Sequence, residues 1–235
     1  MVQLDQRTWT LAVDIGGSGI KVMVLDESSH PRTERARVST PQPAKPDAVL
    51  AAIAELSKNQ GDFNRVSVGF PGVVRGGVTK TAVNLDPDWV EFDLATALSK
   101  CLNKPVRVAN DADIQGLGAI SGQGVELVIT LGTGFGSALF VDGKLVPNLE
   151  VGHHPFRHGE TYEEQLSRAA LDKVGKKRWN RRLEKAIASL QRLFNYDYLY
   201  IGGGNATKVN LDLMPNIKIV PNVAGLLGGV SLWND

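Results

Sequence analysis

The sequence holds a single cysteine, Cys101, in 235 residues. An intrachain disulfide and a cysteine-built metal site are therefore excluded. A surplus of charge is also missing, because Lys and Arg outnumber Asp and Glu by one. A general nucleic-acid binder carries a marked basic excess, so that partner is not expected. No apolar run approaches the roughly 20 residues of a membrane-spanning helix, and the opening MVQLDQRT has no apolar signal core. The expectation is a cytoplasmic protein with no membrane partner. Two common phosphate-binding signatures are absent as well. Neither G-x-x-x-x-G-K-S/T nor G-x-G-x-x-G occurs; residues 132–136 spell G-T-G-F-G.

What is present is an ordinary globular composition, 43% apolar and 22% charged, on a chain long enough to bury a real core. Apolar runs bounded by turn residues predict strands at 9–15, 20–25, 33–39, 65–70 and 106–110. Helical spacing predicts helices from Asp47, taken as an N-cap, and over VEFDLATALSKCL and DADIQGLGAI. The layout then starts again. VELVITLGTGFGSALFVDGKL repeats the strand, glycine turn and strand of LAVDIGGSGIKVMVLD about 118 residues later. A mostly helical stretch over 160–195, strands at 197–203 and 217–220, and a closing helix in NVAGLLGGVSLW complete the reading. This describes an α/β chain of two lobes with similar topology. The first runs over 1–110 and the second over 111–235, with the closing helix 222–233 able to pack back on the first lobe.

Three glycine clusters follow strands: DIGGSG (14–19), TLGTGFGS (130–137) and YIGGGNA (200–206). Glycine lets a backbone approach a ligand closely, and a turn of exposed N–H groups makes a concavity for anions. Each cluster taken singly is equally a hairpin turn; three at strand ends in a repeated layout favour the anion reading. NDAD (110–113) lies at a strand-to-helix junction. Its acids read either as a helix cap or as a carboxylate at the carboxyl end of a strand, where open α/β folds bind ligands. In the second case Asp111 is placed to accept a proton from a substrate hydroxyl.

DIGGSGIK, NDAD, LGTGFGSA, EVGHH and IGGGN occur in the order found in the ROK sugar kinases. The chain thus resembles that family, and within it the polyphosphate and ATP glucokinases. The resemblance implies a two-lobed actin-like (ribonuclease H-like) ATPase fold with a cleft between the lobes. It implies transfer of a phosphoryl group from ATP or polyphosphate to the 6-hydroxyl of a hexose, glucose above all. DIGGSGIK is similar to the family's first phosphate loop, with Gly16, Gly17, Ser18, Gly19 and Lys21 at the donor and Asp14 near a Mg²⁺ ion, through water. LGTGFGS is similar to the second, with Gly132, Thr133 and Gly134. IGGGN implies that Gly203 and Gly204 lie beside the nucleotide. Asp111 takes the role of catalytic base. Asn110, Glu150 and His153 are implied sugar ligands, with Asn84 of NLDPDW and Glu163 of TYEEQL added; Glu164 stays an alternative to Glu163. A homodimer is implied too. The family's cysteine-rich zinc loop is replaced by HHPFRHGETYEEQL, so zinc is not expected.

The donor stays open. Lys177, Arg181 and Lys185 fall at four-residue steps on one helical face. That face is either an ordinary solvated one or a guide for a long polyanion such as polyphosphate. A non-catalytic sugar-binding or sensor protein with the same fold is the competing reading.

Overall fold

The computed structural model describes residues 8–82, 85–221 and 224–234. They divide into two compact units, Met1–Ile114 with Gly225–Asp235, and Gln115–Ala224.

The first unit is built on a five-stranded sheet of order β3-β2-β1-β4-β8. Its strands are β1 (Thr10–Ile15), β2 (Ile20–Leu25), β3 (Ala36–Val38), β4 (Arg65–Phe70) and β8 (Val106–Asn110). β1, β4 and β8 are parallel, and β1, β2 and β3 antiparallel. The near-continuous apolar runs of β1 and β4 fit strands covered on both faces. On one face, helices α1 (Pro46–Ser57) and α2 (Leu94–Leu102) contribute Val49, Ile53, Leu94 and Leu98 to the core. On the other, the C-terminal segment lies across Ala12 and Ser67. There Ser67 Oγ donates to the Gly229 carbonyl at 2.5 Å, and the Trp233 indole N–H donates to Ser67 Oγ at 2.8 Å. The Arg65 and Arg107 guanidinium groups flank the Trp233 ring. A small three-stranded sheet, β5 (Val74–Arg75), β6 (Val78–Thr79) and β7 (Phe92–Asp93), sits in the α1–α2 connection.

The second unit repeats the topology. Its sheet has order β11-β10-β9-β14-β15, from β9 (Val125–Leu131), β10 (Phe135–Val141), β11 (Lys144–Val146), β14 (Tyr198–Gly202) and β15 (Ile217–Ile219). In both sheets an antiparallel three-strand meander is extended by two parallel strands. The β10–β11 turn has positive φ at Asp142 and Gly143, 50° and 77°, the conformation a tight two-residue hairpin requires. A hairpin of β12 (Pro155–Arg157) and β13 (Glu160–Thr161) leads into α4 (Tyr162–Leu166). α5 (Arg168–Phe194) buries Trp179, Leu183, Ala186 and Leu190, spaced to form one face.

Local chemistry corrects four sequence expectations. Asp47 is not the N-cap of α1; the helix starts at Pro46 after Lys45, with Asp47 in the first turn. Proline's fixed φ suits that first position. α2 starts only at Leu94, because Asp93 accepts the Thr96 N–H at 3.0 Å and caps it. The helical stretch 160–195 is broken at Ser167, and Gly175 takes φ 76°, ψ 159° inside α5. The closing helix is only α6 (Ala224–Leu227) and a 3-10 turn at Ser231–Trp233, residues 222–223 lying outside the described residues. Gly225, Gly228 and Gly229 weaken helix there. No helix among the described residues is long and apolar enough to cross a membrane.

Candidate functional site

In the first unit the carboxyl ends of β1, β4 and β8 lie side by side. Asp14 is in register with Gly69, and Gly69 with Ala109; two strand spacings separate Asp14 from Ala109, about 10 Å. The turn after β1 is closed by the Gly16 N–H on the Gly19 carbonyl at 3.0 Å. Thr40 Oγ1, buried, donates to the Gly16 carbonyl. Lys21 Nζ, directly across on β2, donates to Asp14 Oδ2 at 2.6 Å.

A cation the sequence reading missed stands next in that row. Arg37 of β3 is in register with Lys21, and its Nε lies 2.8 Å from where a Cβ on Gly19 would be. Carboxylate, ammonium and guanidinium thus line up across β1, β2 and β3 at the glycine turn. Nothing local marks Arg37 or Thr40; their roles depend on strand register.

At the end of β8, α3 (Asp111–Leu117) begins at once. Asn110 does the capping. Its Oδ1 accepts the Ala112 N–H at 2.8 Å, and its Nδ2 donates to the Gly72 carbonyl at 3.1 Å. Asp111 is half-buried, accepts the same Ala112 N–H at 2.8 Å, and stands against Gly69 of β4, whose Cβ would be 3.5 Å from the Asp111 Cα. Asp113 is buried at 4% exposure. Asn110 and Asp111 thus share the Ala112 N–H, and Asn110 Oδ1 also accepts the Asp113 N–H at 3.4 Å, as a helix cap does. Asn84 lies outside the described residues.

The second unit gathers the other predicted residues. The turn after β9 is closed by the Gly132 N–H on the Gly134 carbonyl at 3.1 Å. The IGGGN loop packs on it. Asn205 donates its backbone N–H to the Leu131 carbonyl at 2.8 Å and its Nδ2 to the Gly132 carbonyl at 3.1 Å. Gly203 has φ 85°, and a Cβ there would collide with the Leu131 carbonyl, so this contact demands glycine. Glu163 Oε2 accepts the Phe135 N–H at 3.0 Å. Its neighbour Glu164 is spent otherwise: it forms a capping box with Thr161, each accepting the other's backbone N–H. The T-x-x-E spacing at 161–164 is the signal that separates the two acids. Tyr162 packs on Phe135 and stacks on Phe156, which seats α4 against β10.

Glu150 precedes and His153 ends a 3-10 turn, with Nε2 3.9 Å from Oε2. Ser137 holds that turn, donating to the Leu149 carbonyl at 2.8 Å and accepting the Val151 N–H at 3.2 Å. Burial pushes the Glu150 carboxyl up, and Glu163 adds to this, while His153 opposes it. Glu150 and Glu163 are thus close enough to feel one another. Among the described residues no group of three or more His, Cys, Asp or Glu is placed to hold a metal ion. Asp14 fits Mg²⁺, which takes one or two carboxylates and fills its other positions with phosphate oxygens and water.

Paired sheets of one topology, each with a glycine turn after its first strand, make this an α/β chain of the actin-like (ribonuclease H-like) ATPase fold. Residues 10–161 match the ROK family. The chain is 32% identical over 233 residues to the polyphosphate glucokinase of Mycobacterium leprae (strain TN), covering 92% of this chain and 72% of that one. The crystal structure of an inorganic polyphosphate/ATP-glucomannokinase from Arthrobacter sp. strain KM superimposes with a TM-score of 0.87 at 35% identity, covering 95% of this chain and 97% of that one. A ROK family glucokinase from Streptomyces griseus, in complex with glucose and AMPPNP, shares the fold with a TM-score of 0.80 at 21% identity, covering 95% and 98%. The chain belongs to the ROK family.

Proposed function

We propose that the protein is a hexokinase-type phosphotransferase that passes the terminal phosphoryl group of ATP or polyphosphate to the 6-hydroxyl of a hexose, glucose above all. The observation that carries the reading is Asp111, a carboxylate at the carboxyl end of β8 on the same sheet edge as the Asp14 glycine turn. Relatives named as polyphosphate glucokinase and polyphosphate/ATP-glucomannokinase support both donor and acceptor.

Phosphoryl transfer asks a protein for positioning, charge neutralisation and a base. Asp111 orients the 6-hydroxyl and takes its proton as the oxygen bonds to phosphorus; the bond to the departing phosphate oxygen breaks. Backbone N–H groups of Gly17, Ser18, Gly19, Thr133 and Gly134 hold phosphate oxygens, on turns closed by the Gly16 and Gly132 N–H groups, with Lys21 beside them and Gly203 and Gly204 along the nucleotide. Asp14 would hold Mg²⁺ through water, and the ion neutralises phosphate charge when bound. Glu150, His153 and Glu163 accept or donate hydrogen bonds to sugar hydroxyls. Asn110 contributes the Nδ2 hydrogen not given to Gly72, and Asn84 is a further sugar contact. The reading includes a cytoplasmic homodimer that uses neither zinc nor nucleic acid.

Asp111→Asn keeps hexose binding, read by calorimetry, and lowers kcat in a glucose-coupled assay by about 10²–10⁴. A variant with near wild-type kcat removes Asp111 as base. Wild-type protein that binds glucose but turns over neither donor points to the sugar-sensor reading.

A further inference from the structure

We propose that the solvent face of α5 is a binding surface for long-chain inorganic polyphosphate, separate from the glycine turns where the reacting phosphate is held. The proposal rests on the kinase reading only in naming that polymer as donor.

Charge is concentrated on this helix. Residues 176–192 hold seven basic residues and one acid, Glu184, in a chain whose total surplus is a single positive charge. The rest of the molecule is therefore net acidic. Lys177, Arg178, Arg181, Lys185 and Arg192 are all exposed, on the side opposite the buried Trp179, Leu183, Ala186 and Leu190. Among the described residues none of these five forms an ion pair. The neighbouring Arg182 has its pKa lowered first by burial and then by Arg178 and Arg157, with Glu160 opposing.

Geometry selects the ligand. Lys177, Arg181 and Lys185 follow at four-residue steps, about 6 Å apart, and Arg192 extends the row to about 22 Å. A nucleoside triphosphate has too few phosphates to span it; a polymer charged at every residue does not. Proteins that bind single-stranded nucleic acids add aromatic platforms for the bases. The exposed face from Lys177 to Arg192 has no aromatic side chain, its one aromatic residue, Trp179, being buried. The segment just ahead of the row reaches the donor-binding turn. Arg168, the first residue of α5, donates its N–H to the Gly132 carbonyl at 2.9 Å. The charged row follows this contact along the chain, beyond the Gly175 break in α5.

The test is the triple variant Lys177→Gln, Arg181→Gln, Lys185→Gln in the full chain. The three positions are exposed and glutamine is a good helix former, so an unchanged melting temperature is expected. Long-chain sodium polyphosphate is titrated by fluorescence anisotropy over a salt series, and KM is measured for long-chain polyphosphate, tripolyphosphate and ATP. We expect affinity and KM for the long chain to weaken about tenfold and the log–log salt slope to fall by about 2, as three neutralised charges require. KM for ATP and tripolyphosphate should not move. Unchanged long-chain affinity overturns the proposal, as does an equal loss with ATP. Single-stranded DNA that binds this face more tightly than polyphosphate also overturns it. If the wild type phosphorylates glucose from ATP while the triple variant holds the long chain normally, only this inference fails. If the long chain binds through these three residues but no phosphoryl transfer occurs from any donor, the kinase reading fails and the binding surface stands.

Discussion

The Glu163 carboxylate accepts the backbone N–H of Phe135, 28 residues earlier, at 3.0 Å. The same oxygen fills the space a Cβ on Gly134 would need. One proposed sugar ligand therefore also braces the second glycine turn. Glu163→Gln should raise KM for hexose and for ATP together, each about tenfold, the scale of one charge-assisted hydrogen bond. Gly134→Ala, which pushes the carboxylate away from Phe135, should do the same. Steady-state kinetics with each substrate varied decide it; a rise in hexose KM alone would show that the turn is held without Glu163.

Arg37 completes the row from Asp14 through Lys21 at the first glycine turn. Arg37→Ala should raise the donor KM about five- to tenfold, as the loss of one partly exposed charge-assisted contact does, and leave hexose KM in place. Arg37→Lys should recover part of the loss. Donor kinetics unaffected by Arg37→Ala would assign it to the strand edge alone.

Gly175 adopts φ 76°, ψ 159° with open space where a Cβ would stand. Alanine in a regular helix gains up to about 1 kcal/mol over glycine. At this conformation an L-residue is strained by about 1–3 kcal/mol. Gly175→Ala should therefore lower stability in denaturant unfolding; a stabilised variant would mean that α5 runs unbroken.

Glu126 is wholly buried, and its carboxylate accepts from Ser121 N–H and Oγ, Gly122 N–H, Gln123 N–H and the Tyr200 hydroxyl. Burial raises its pKa, but hydrogen bonds from Ser121, Tyr200 and Gly122 outweigh that and the net direction is down. A folded pKa below the unfolded one contributes stability that is complete above the unfolded value, about 4.3. It is lost as pH falls through the lowered folded value. Glu126→Gln turns an amide donor toward this ring of donors and should cost about 3 kcal/mol at neutral pH. Its stability should also depend less on pH below about 4.3. Unfolding curves for both proteins across that range test the pair; parallel pH profiles would contradict the assignment.

Reading residues in order located the long strands of the two five-stranded sheets, the glycine turns after β1 and β9, and the NDAD junction, because each is a local event of apolar runs, flexible backbone and turn chemistry; the two- and three-residue strands β5, β6, β7, β12 and β13 are too short to show such a run. Helix ends were less legible. Pro46 outcompeted Asp47 as the start of α1, and Asp93 set the start of α2; both depend on a contest between neighbours only a residue or two apart. The stretch 160–195 reads as mostly helical without a break at Gly175, because a residue's φ is invisible in composition.

The amino-acid order by itself determined the two-fold layout and the carboxylates at strand ends, since these follow from interactions within a few residues along the chain. Tertiary structure alone decided that Arg37 joins Asp14 and Lys21, and that Glu163 reaches the Phe135 N–H of the glycine loop. Those assignments depend on strand register and on distant segments being packed together, and a hydrogen bond or a shared sheet face exists only once that packing has brought its partners within reach.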